Sequence, residues 1–492
     1  MNRQITRLGI GLLACYVALF AMLNWVQVLQ ADEYAEHPLN TARIRKEFNR
    51  PRGSILSADG AVLATSIDNP DPNSEFERIR IYPEGELFGQ VTGYFSFWYG
   101  ASGVEQAYAA QLSGQTLEQQ LRGLGDLFVQ RENVGNVVLS VRKDLQQTAR
   151  DALGEREGSV VAIDVKTGEL LAFWSYPSFD PSPLAGLDHG DVEQAWKLLN
   201  AAPGQPLRAH QYQDRYFPGS TFKVVTAGVG VQSGRVTPEE PVYPVERSWT
   251  PPQTQVPIFN FGGSACGGTL FQVMEVSCNT AFARMGTETI GPDEMVRGTA
   301  AWGFNDAPPI DLPAPARSVF PTNFTRDLPK LAQSSIGQND VQATPLQMAL
   351  VAAAVANGGR MMRPHVMSEV RDANQQVVSR FAPSTWKQPL TPEHAATIRD
   401  AMIGVVRSGT ARALAIPGYE VGGKTGTAQL GTEPPRSHTW IIGFGGPPGD
   451  PQVAVAVVVL DQPGASEFTG GRVAAPIARA VLQQALAVKA GG

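Results

Sequence analysis

A chain of 492 residues is too long for one ordinary hydrophobic core, so two or three domains are expected. Its 43% hydrophobic and 17% charged content is that of a folded protein, and a net charge of −6 offers no basic footprint for nucleic acid. The six histidines show no metal-ligand spacing, so neither a metal nor a cofactor is expected.

Residues 8–31 (LGIGLLACYVALFAMLNWVQVLQA) carry no charge. At about 1.5 Å per residue such a helix crosses the ~30 Å hydrocarbon core. Arg3 and Arg7 precede it, and Asp32 and Glu33 follow. That bias predicts a cytoplasmic tail (1–7), an anchor (8–30) in the plasma membrane and the remaining chain outside. A cleaved signal peptide is the rival, but its apolar run is shorter and ends at a small-x-small site.

From 31 to 155 short strands alternate with polar turns. The stretch 49–66 (NRPRGSILSADGAVLATS) predicts a hairpin turning at Asp59-Gly60. Residues 99–114 (YGASGVEQAYAAQLSG) predict a glycine-rich turn and a short helix. This region clusters no catalytic residue types and reads as a β-rich pedestal or interaction module. Residues 157–178 (EGSVVAIDVKTGELLAFWSYPS) form a second hairpin tipped by Asp164–Gly168. Residues 180–215 read as loop and short helix. Near the C-terminus, 437–446 and 453–460 are strands, and 473–488 is an apolar-faced helix. Strands at both ends of 156–490 with a helical middle predict one α+β domain whose sheet joins the two ends.

Cys15 lies in the apolar run as a small filler. Cys266 and Cys278 lie in the external part, where disulfides persist. A bond between them closes a loop of about a dozen residues, a gain of up to ~3 kcal/mol in the chain-entropy model. Two separately buried thiols are the alternative; the disulfide is favoured.

Ser220 and Lys223 lie three apart in RYFPGSTFKVVTAG (215–228). With 26 serines and nine lysines, chance alone supplies about half a match to S-x-x-K, yet there are three. Ser140–Lys143 spans the end of a strand, where residues three apart face opposite ways. Ser384–Lys387 lies between Pro383 and Pro389, which disfavour a helical turn. Both decoys read as surface residues. Ser220 follows the turn Pro218-Gly219 and opens a segment of helical apolar spacing. It is expected at a helix N-terminus with Lys223 one turn on, facing the same way. Lys223 can act as a base only if burial or a neighbouring cation lowers its pKa.

Such a cation is available at Lys424, in VGGKTGTAQ (421–429). A second Lys-Thr-Gly, at 166–168, is only the hairpin tip. At 424 the lead-in Gly422-Gly423 is expected to admit a ligand or another backbone. Thr425 and Thr427, around Gly426, are expected on one face of an edge strand, suited to a carboxylate. Ser277 and Asn279 (MEVSCNTAFARMG, 274–286) could relay a proton and hold a carbonyl; a helix-capping serine and a turn asparagine remain the alternative.

Ser220-Thr-Phe-Lys223, Ser277-Cys-Asn279 and Lys424-Thr-Gly426, in that order and with starts 57 and 147 residues apart, resemble the three signatures of the penicillin-recognising serine transferases. PRGSIL with GAVLA (51–64), GASGVE (100–105) and IGQNDVQATPLQMA (336–349) extend the resemblance over essentially the whole chain, to class B penicillin-binding proteins of the penicillin-binding protein A type. Ser57-Ala58 departs from the Asp-Arg usual there. The resemblance implies an antiparallel sheet covered by helices, a pedestal and one membrane helix. It implies a D,D-transpeptidase joining peptidoglycan stem peptides that end in D-Ala-D-Ala, inhibited covalently by β-lactams. Catalysis would fall to Ser220, Lys223, Ser277, Asn279 and Lys424, and substrate binding to Thr425, Gly426 and Thr427. A membrane glycosyltransferase or a division or elongation protein is the expected partner. A D,D-carboxypeptidase and a scaffold for such a partner are the alternatives. A β-lactamase is disfavoured, because no E-x-x-L-N-like segment lies between Asn279 and Lys424.

Overall fold

The computed structural model describes residues 2–25, 45, 48–116, 134–324, 327–463 and 470–491. The chain divides into two compact units, residues 1–51 with 67–79, and residues 52–66 with 80–492.

The first unit contains helix α1 (Asn2–Asn24), 23 residues long and exposed over residues 3–24. It is long and apolar enough to cross a membrane. It begins before the expected anchor, taking in Arg3 and Arg7; residues 26–30 of that anchor lie outside the described residues, as do 31–44 and 117–133 of the expected pedestal. Elsewhere in this unit, Phe48 meets Phe76 edge-on at 5.5 Å, and the Asn49 side chain bonds the backbone of Glu75 and Glu77 at 3.1 Å each.

The strands that frame the molecule are, in chain order, β1 (Ile55–Leu56), β2 (Val62–Asp68), β3 (Arg78–Ile81), β4 (Asn136–Leu139), β5 (Gly158–Asp164) and β6 (Leu170–Tyr176), followed by β7 (Met367–Arg371), β8 (Val377–Arg380), β9 (Glu420–Gln429), β10 (Arg436–Gly446) and β11 (Val453–Pro463). They form two large sheets, of order β8-β7-β4-β1-β2-β3 and β9-β10-β11-β5-β6. In the first, β1 and β2 form the hairpin expected at Asp59-Gly60, pairing Ile55 with Ala64. Ser57 replaces the usual acid without loss of the turn, since its hydroxyl accepts the Ala61 N–H at 2.9 Å.

Two stretches singled out in the sequence, 49–66 and 99–114, meet at one buried ion cluster, which Arg80 of β3 completes. Glu105 Oε2 takes Arg52 Nε and Oε1 takes Arg80 Nε, each at 2.7 Å, and all three side chains are almost wholly buried. The Arg52 guanidinium lies 4.1 Å above the Phe95 ring, as weakly hydrated arginine permits.

The second sheet is antiparallel throughout and joins the two ends of the catalytic region as expected. Val453–Val459 is buried at every position. It therefore reads as a continuous apolar run, because helices leave neither face to water. Helices α2 (Lys143–Leu153), α3 (Lys223–Gln232), α4 (Leu270–Glu275), α5 (Asn279–Arg284), α6 (Pro345–Ala356), α7 (Pro392–Arg407) and α8 (Ala474–Gly491) make the layers. α6 (PLQMALVAAAVA) is apolar all round and buried at all twelve positions, against β5, β10 and β11. α8 packs on β10, β11 and α2, while α7 covers β9. One element exceeds the expectation of loop and short helix over 180–215: a 13-residue helix, His189–Ala201, capped by the Asp188 carboxylate on the Asp191 N–H.

Candidate active site

Ser220 lies in a 3-10 turn, Gly219–Phe222, that runs directly into α3 at Lys223. The expected helix start is thus tighter than α-helical, and this stacks i and i+3 on one face. The turn packs on β9, the edge strand of the second sheet. Two glycines make that approach. Gly219 has φ +53, and a Cβ there would come within 2.8 Å of the Thr427 carbonyl; a Cβ at Gly426 would come within 2.8 Å of the Pro218 carbonyl. The Trp440 indole N–H, next to Gly426 in register, donates to the Phe217 carbonyl at 3.0 Å, and the Gly219 N–H donates to Gly337 at 3.0 Å. IGQNDVQATP therefore supports the turn from behind.

The lead-in glycines behave differently from expectation. A Cβ at Gly422 would strike the Phe444 ring at 2.3 Å, and one at Gly423 the Leu414 side chain at 2.8 Å. They make room for core side chains, not for a ligand; the close backbone approach occurs at Gly426.

Ser277 stands between α4 and α5 with φ +59, a left-handed conformation costly for a residue with a Cβ. It does not cap α5; Cys278 holds that position. Cys278 is disulfide-bonded to Cys266, with Cα atoms 5.8 Å apart. The buried Asn260 side chain accepts the Thr280 N–H at 2.9 Å and donates to the Glu246 carbonyl at 2.7 Å, which ties the 246–260 segment to α5.

The side chains converge on Ser277. Lys223 Nζ donates to the Ser277 carbonyl at 2.7 Å and the Asn279 amide oxygen at 2.6 Å, and lies 3.2 Å from Ser277 Oγ. Lys424 Nζ donates to Ser277 Oγ at 2.7 Å and to the Thr425 carbonyl at 3.0 Å. The Asn279 amide nitrogen donates to the Phe259 carbonyl at 2.9 Å, leaving one amide hydrogen free of that bond. Both lysines are wholly buried, and among the described residues neither has a carboxylate partner. Burial, and then the Lys424 charge, push the Lys223 pKa well below its ordinary value. Burial alone lowers that of Lys424 to about 7. Among the described residues no hydrogen bond engages the partly exposed Ser220 hydroxyl. Two buried amines, a hydroxyl and an amide joined by hydrogen bonds, one turn on from the Ser220 hydroxyl, suit acyl transfer.

The decoys stay apart. Ser140 is buried, contrary to expectation, with its hydroxyl on the Leu170 carbonyl at 2.9 Å, while Lys143 pairs with Glu84 at 2.7 Å. Ser384 is exposed, and Lys387 pairs with Asp306 at 2.6 Å. Lys166 is exposed at its hairpin tip. One residue escaped sequence reasoning. Thr410 Oγ1 lies 2.7 Å from Thr425 Oγ1, but SGTARAL carries no spacing that separates it from an ordinary loop.

The chain is similar to known penicillin-binding proteins over most of its length. The family description "Penicillin binding protein transpeptidase domain" matches residues 158–483, and "Penicillin binding protein A dimerisation domain" matches 52–138. The chain is 36% identical to the peptidoglycan D,D-transpeptidase PbpA of Mycolicibacterium smegmatis, and 34% identical to that of Mycobacterium tuberculosis, over 99% of each chain. Among solved structures, the imipenem acyl-enzyme of penicillin-binding protein A from M. tuberculosis superposes with a TM-score of 0.81 at 34% identity, over 89% of this chain and 100% of that one. A D,D-transpeptidase domain from Eggerthella lenta gives 0.77 at 31% identity, over 90% and 99%.

Proposed function

The chain belongs to the penicillin-binding protein transpeptidase family, and from that membership we propose that it is a peptidoglycan D,D-transpeptidase, acylated by stem peptides at Ser220 and blocked there by β-lactams. The convergence of Lys223 and Lys424 on the Ser277 hydroxyl carries this reading. Relatives trapped as acyl-enzymes with imipenem and ceftriaxone support the β-lactam step.

Ser220 Oγ attacks the carbonyl of the penultimate D-alanine. A neutral Lys223 has two N–H bonds, and its two pure acceptors, the Ser277 carbonyl and Asn279 Oδ1, take both. Its lone pair is then left for the Ser220 proton. Once charged, Lys223 donates to Ser277 Oγ, and Ser277 gives its own proton to the leaving amine. Lys424 holds positive charge beside the cleft. Thr425 and Thr427 bind the terminal carboxylate, and Gly426 lets the turn backbone close on β9. The backbone N–H groups of Ser220 and Thr427 receive the oxyanion, each such donor contributing ~3 kcal/mol. The free Asn279 amide hydrogen meets a substrate carbonyl. An amine from a second strand takes the acyl group.

The domain division we favour is a pedestal at 31–155 and a transpeptidase domain at 156–490, in keeping with family matches at 52–138 and 158–483. α1 anchors the chain once in the plasma membrane with residues 1–7 inside. Arg3 and Arg7 before the apolar run and the Cys266–Cys278 bond, which persists in an oxidising compartment, favour an external catalytic domain. A membrane glycosyltransferase is the partner we expect, since cross-linking takes polymerised glycan strands as its substrate.

The test is covalent labelling by a fluorescent penicillin. Ser220→Ala abolishes it, and Ser140→Ala and Ser384→Ala do not. Normal labelling of Ser220→Ala would refute the assignment.

A further inference from the structure

A cavity lies at the same end of the second sheet as Thr427. One row of cross-strand pairs runs from Thr427 through Thr439, Val459 and Gly158 to Tyr176. Four strand spacings place the ends of that row about 19 Å apart. Tyr176 lines a cavity of about 300 Å³ together with Glu157, Gln205, His210 and Tyr216, at the lower edge of the size that holds a small ligand. Tyr216 is four residues before Ser220, so their Cα atoms are within about 14 Å.

We propose that this cavity is a subsite for the amino sugar of the glycan strand, holding the sugar while its stem peptide reaches back to Ser220. The proposal rests on the transpeptidase reading and adds to it the part of the substrate away from the scissile bond. The lining combines ring faces with hydrogen-bonding groups of both kinds and little net charge. Tyr216 is fixed by a reciprocal backbone pair with Ala343 and an edge contact with His438 at 5.6 Å. Asp214, on the cavity wall, is already bonded to both Arg208 and His210 Nδ1, which uses up its charge. His210 itself is 8% exposed, and its Nε2 has no hydrogen-bond partner among the described residues. A buried polar atom left without a partner is unfavourable, and a ligand hydroxyl or acetamido group would satisfy it. Glu157 and Gln205 stand exposed at the rim. A neutral ring carrying hydroxyls and an acetamido group suits such walls; a strongly charged ligand does not.

The full-length protein is assayed with a stem peptide bare, and with the same peptide on its N-acetylglucosaminyl–N-acetylmuramyl disaccharide. The wild type shows a KM about tenfold lower for the sugar-bearing peptide, a factor equal to one or two hydrogen bonds. The exposed double variant Glu157→Ala/Gln205→Ala, and separately Tyr176→Leu, lose that advantage while keeping bare-peptide turnover and penicillin acylation. Equal KM values in the wild type overturn the subsite, as does an advantage undiminished in both variants. A wild type that neither turns over peptide nor reacts with penicillin overturns the transpeptidase reading, and the subsite with it.

Discussion

Lys424 Nζ lies 2.7 Å from Ser277 Oγ, the oxygen that Lys223 Nζ approaches at 3.2 Å from the opposite side of the chain order. A serine hydroxyl has two lone pairs and one hydrogen. When both amines are charged they occupy both lone pairs, and the hydroxyl hydrogen must point elsewhere, into the cleft. When Lys223 is neutral its lone pair is available instead. In the proposed mechanism the protonation state of one buried lysine thus decides whether a proton is drawn in from Ser220 or sent out to the leaving group.

The pH dependence of acylation follows. Lys223 must be neutral and Lys424 charged. Burial with the Lys424 charge lowers the first well below its usual range, and burial lowers the second to about 7. The rate of penicillin acylation rises on the acid side as Lys223 loses its proton and falls above about 7 as Lys424 does; the apparent values belong to the pair. A rate that stays level from pH 7 to 9 would remove the cationic role of Lys424. Stability carries the opposite sign. The unfolded lysine titrates at about 10.4, above the folded value, so between the two the unfolded state binds more protons and stability rises with pH. Thermal melts of Lys424→Met from pH 7 to 10 will show a shallower rise than wild type.

Ser277 predicts a conflict between stability and rate. Its φ of +59 costs a residue with a Cβ about 1–2 kcal/mol and glycine little. Ser277→Gly and Ser277→Ala both remove the relay hydroxyl, so both lose about 10²–10⁴ in acylation rate. They differ in backbone cost alone. Ser277→Gly should therefore be the more stable of the two by about 1 kcal/mol in denaturant titrations. Equal midpoints would show that the left-handed backbone is unstrained.

The three motifs stood out for their residue types at short spacing, and the structure joins Lys223, Ser277, Asn279 and Lys424 by hydrogen bonds; the strand-rich ends were legible because apolar runs of β-branched residues have few other outcomes. What escaped is tertiary in origin. Ser140 looked like a surface residue, yet its one hydroxyl caps the Leu170 carbonyl deep in the fold; alternation along one strand says nothing of what is packed beyond it. Gly422 and Gly423 looked like ligand clearance because sequence shows a missing Cβ but not the Phe444 and Leu414 side chains that fill its place. Arg52, Arg80 and Glu105 were visible as residues of the pedestal, but their joining in one cluster depends on contacts 25 and 53 residues apart in the chain.

In the proposed carboxylate site, Thr410 would position Thr425. Thr425 is 7% exposed, and its hydroxyl faces that of Thr410 at 2.7 Å. Each hydroxyl has one hydrogen. If Thr410 donates to Thr425, the Thr425 hydrogen is left for the substrate carboxylate. Thr410→Val removes that donor, which leaves the Thr425 hydroxyl free to turn, and should raise KM for a carboxylate-terminated peptide about fivefold, the effect of one neutral hydrogen bond, with kcat little changed. Thr410→Ser should restore it. A fall in kcat at unchanged KM, or no rescue by serine, would mean that Thr410 only fills space.

Glu105 supports the pedestal through charge rather than apolar packing. Its carboxylate is wholly buried and bonded to two arginines that are themselves nearly buried. Burial raises its pKa, but the Arg80 and Arg52 charges and their hydrogen bonds outweigh burial, and the net shift is downward. Removing the acid strands two guanidiniums, and losses of this kind run to about 3–5 kcal/mol. Glu105→Ala should therefore lower the denaturation midpoint strongly, and Glu105→Gln, which keeps the shape and one acceptor, somewhat less. Because the folded pKa lies below the ordinary carboxylate value, the wild-type advantage is complete above that ordinary value and is lost as pH falls through the folded one. Melts of wild type and Glu105→Gln will draw together once the pH falls through the folded pKa of Glu105; a gap that does not narrow at all as the pH is lowered from neutral into strong acid would show that the carboxylate is not the charged member of this cluster. Penicillin acylation by Glu105→Gln, measured below its melting transition, should stay at the wild-type rate, since no atom of the cluster is bonded to Ser220, Lys223, Ser277 or Lys424.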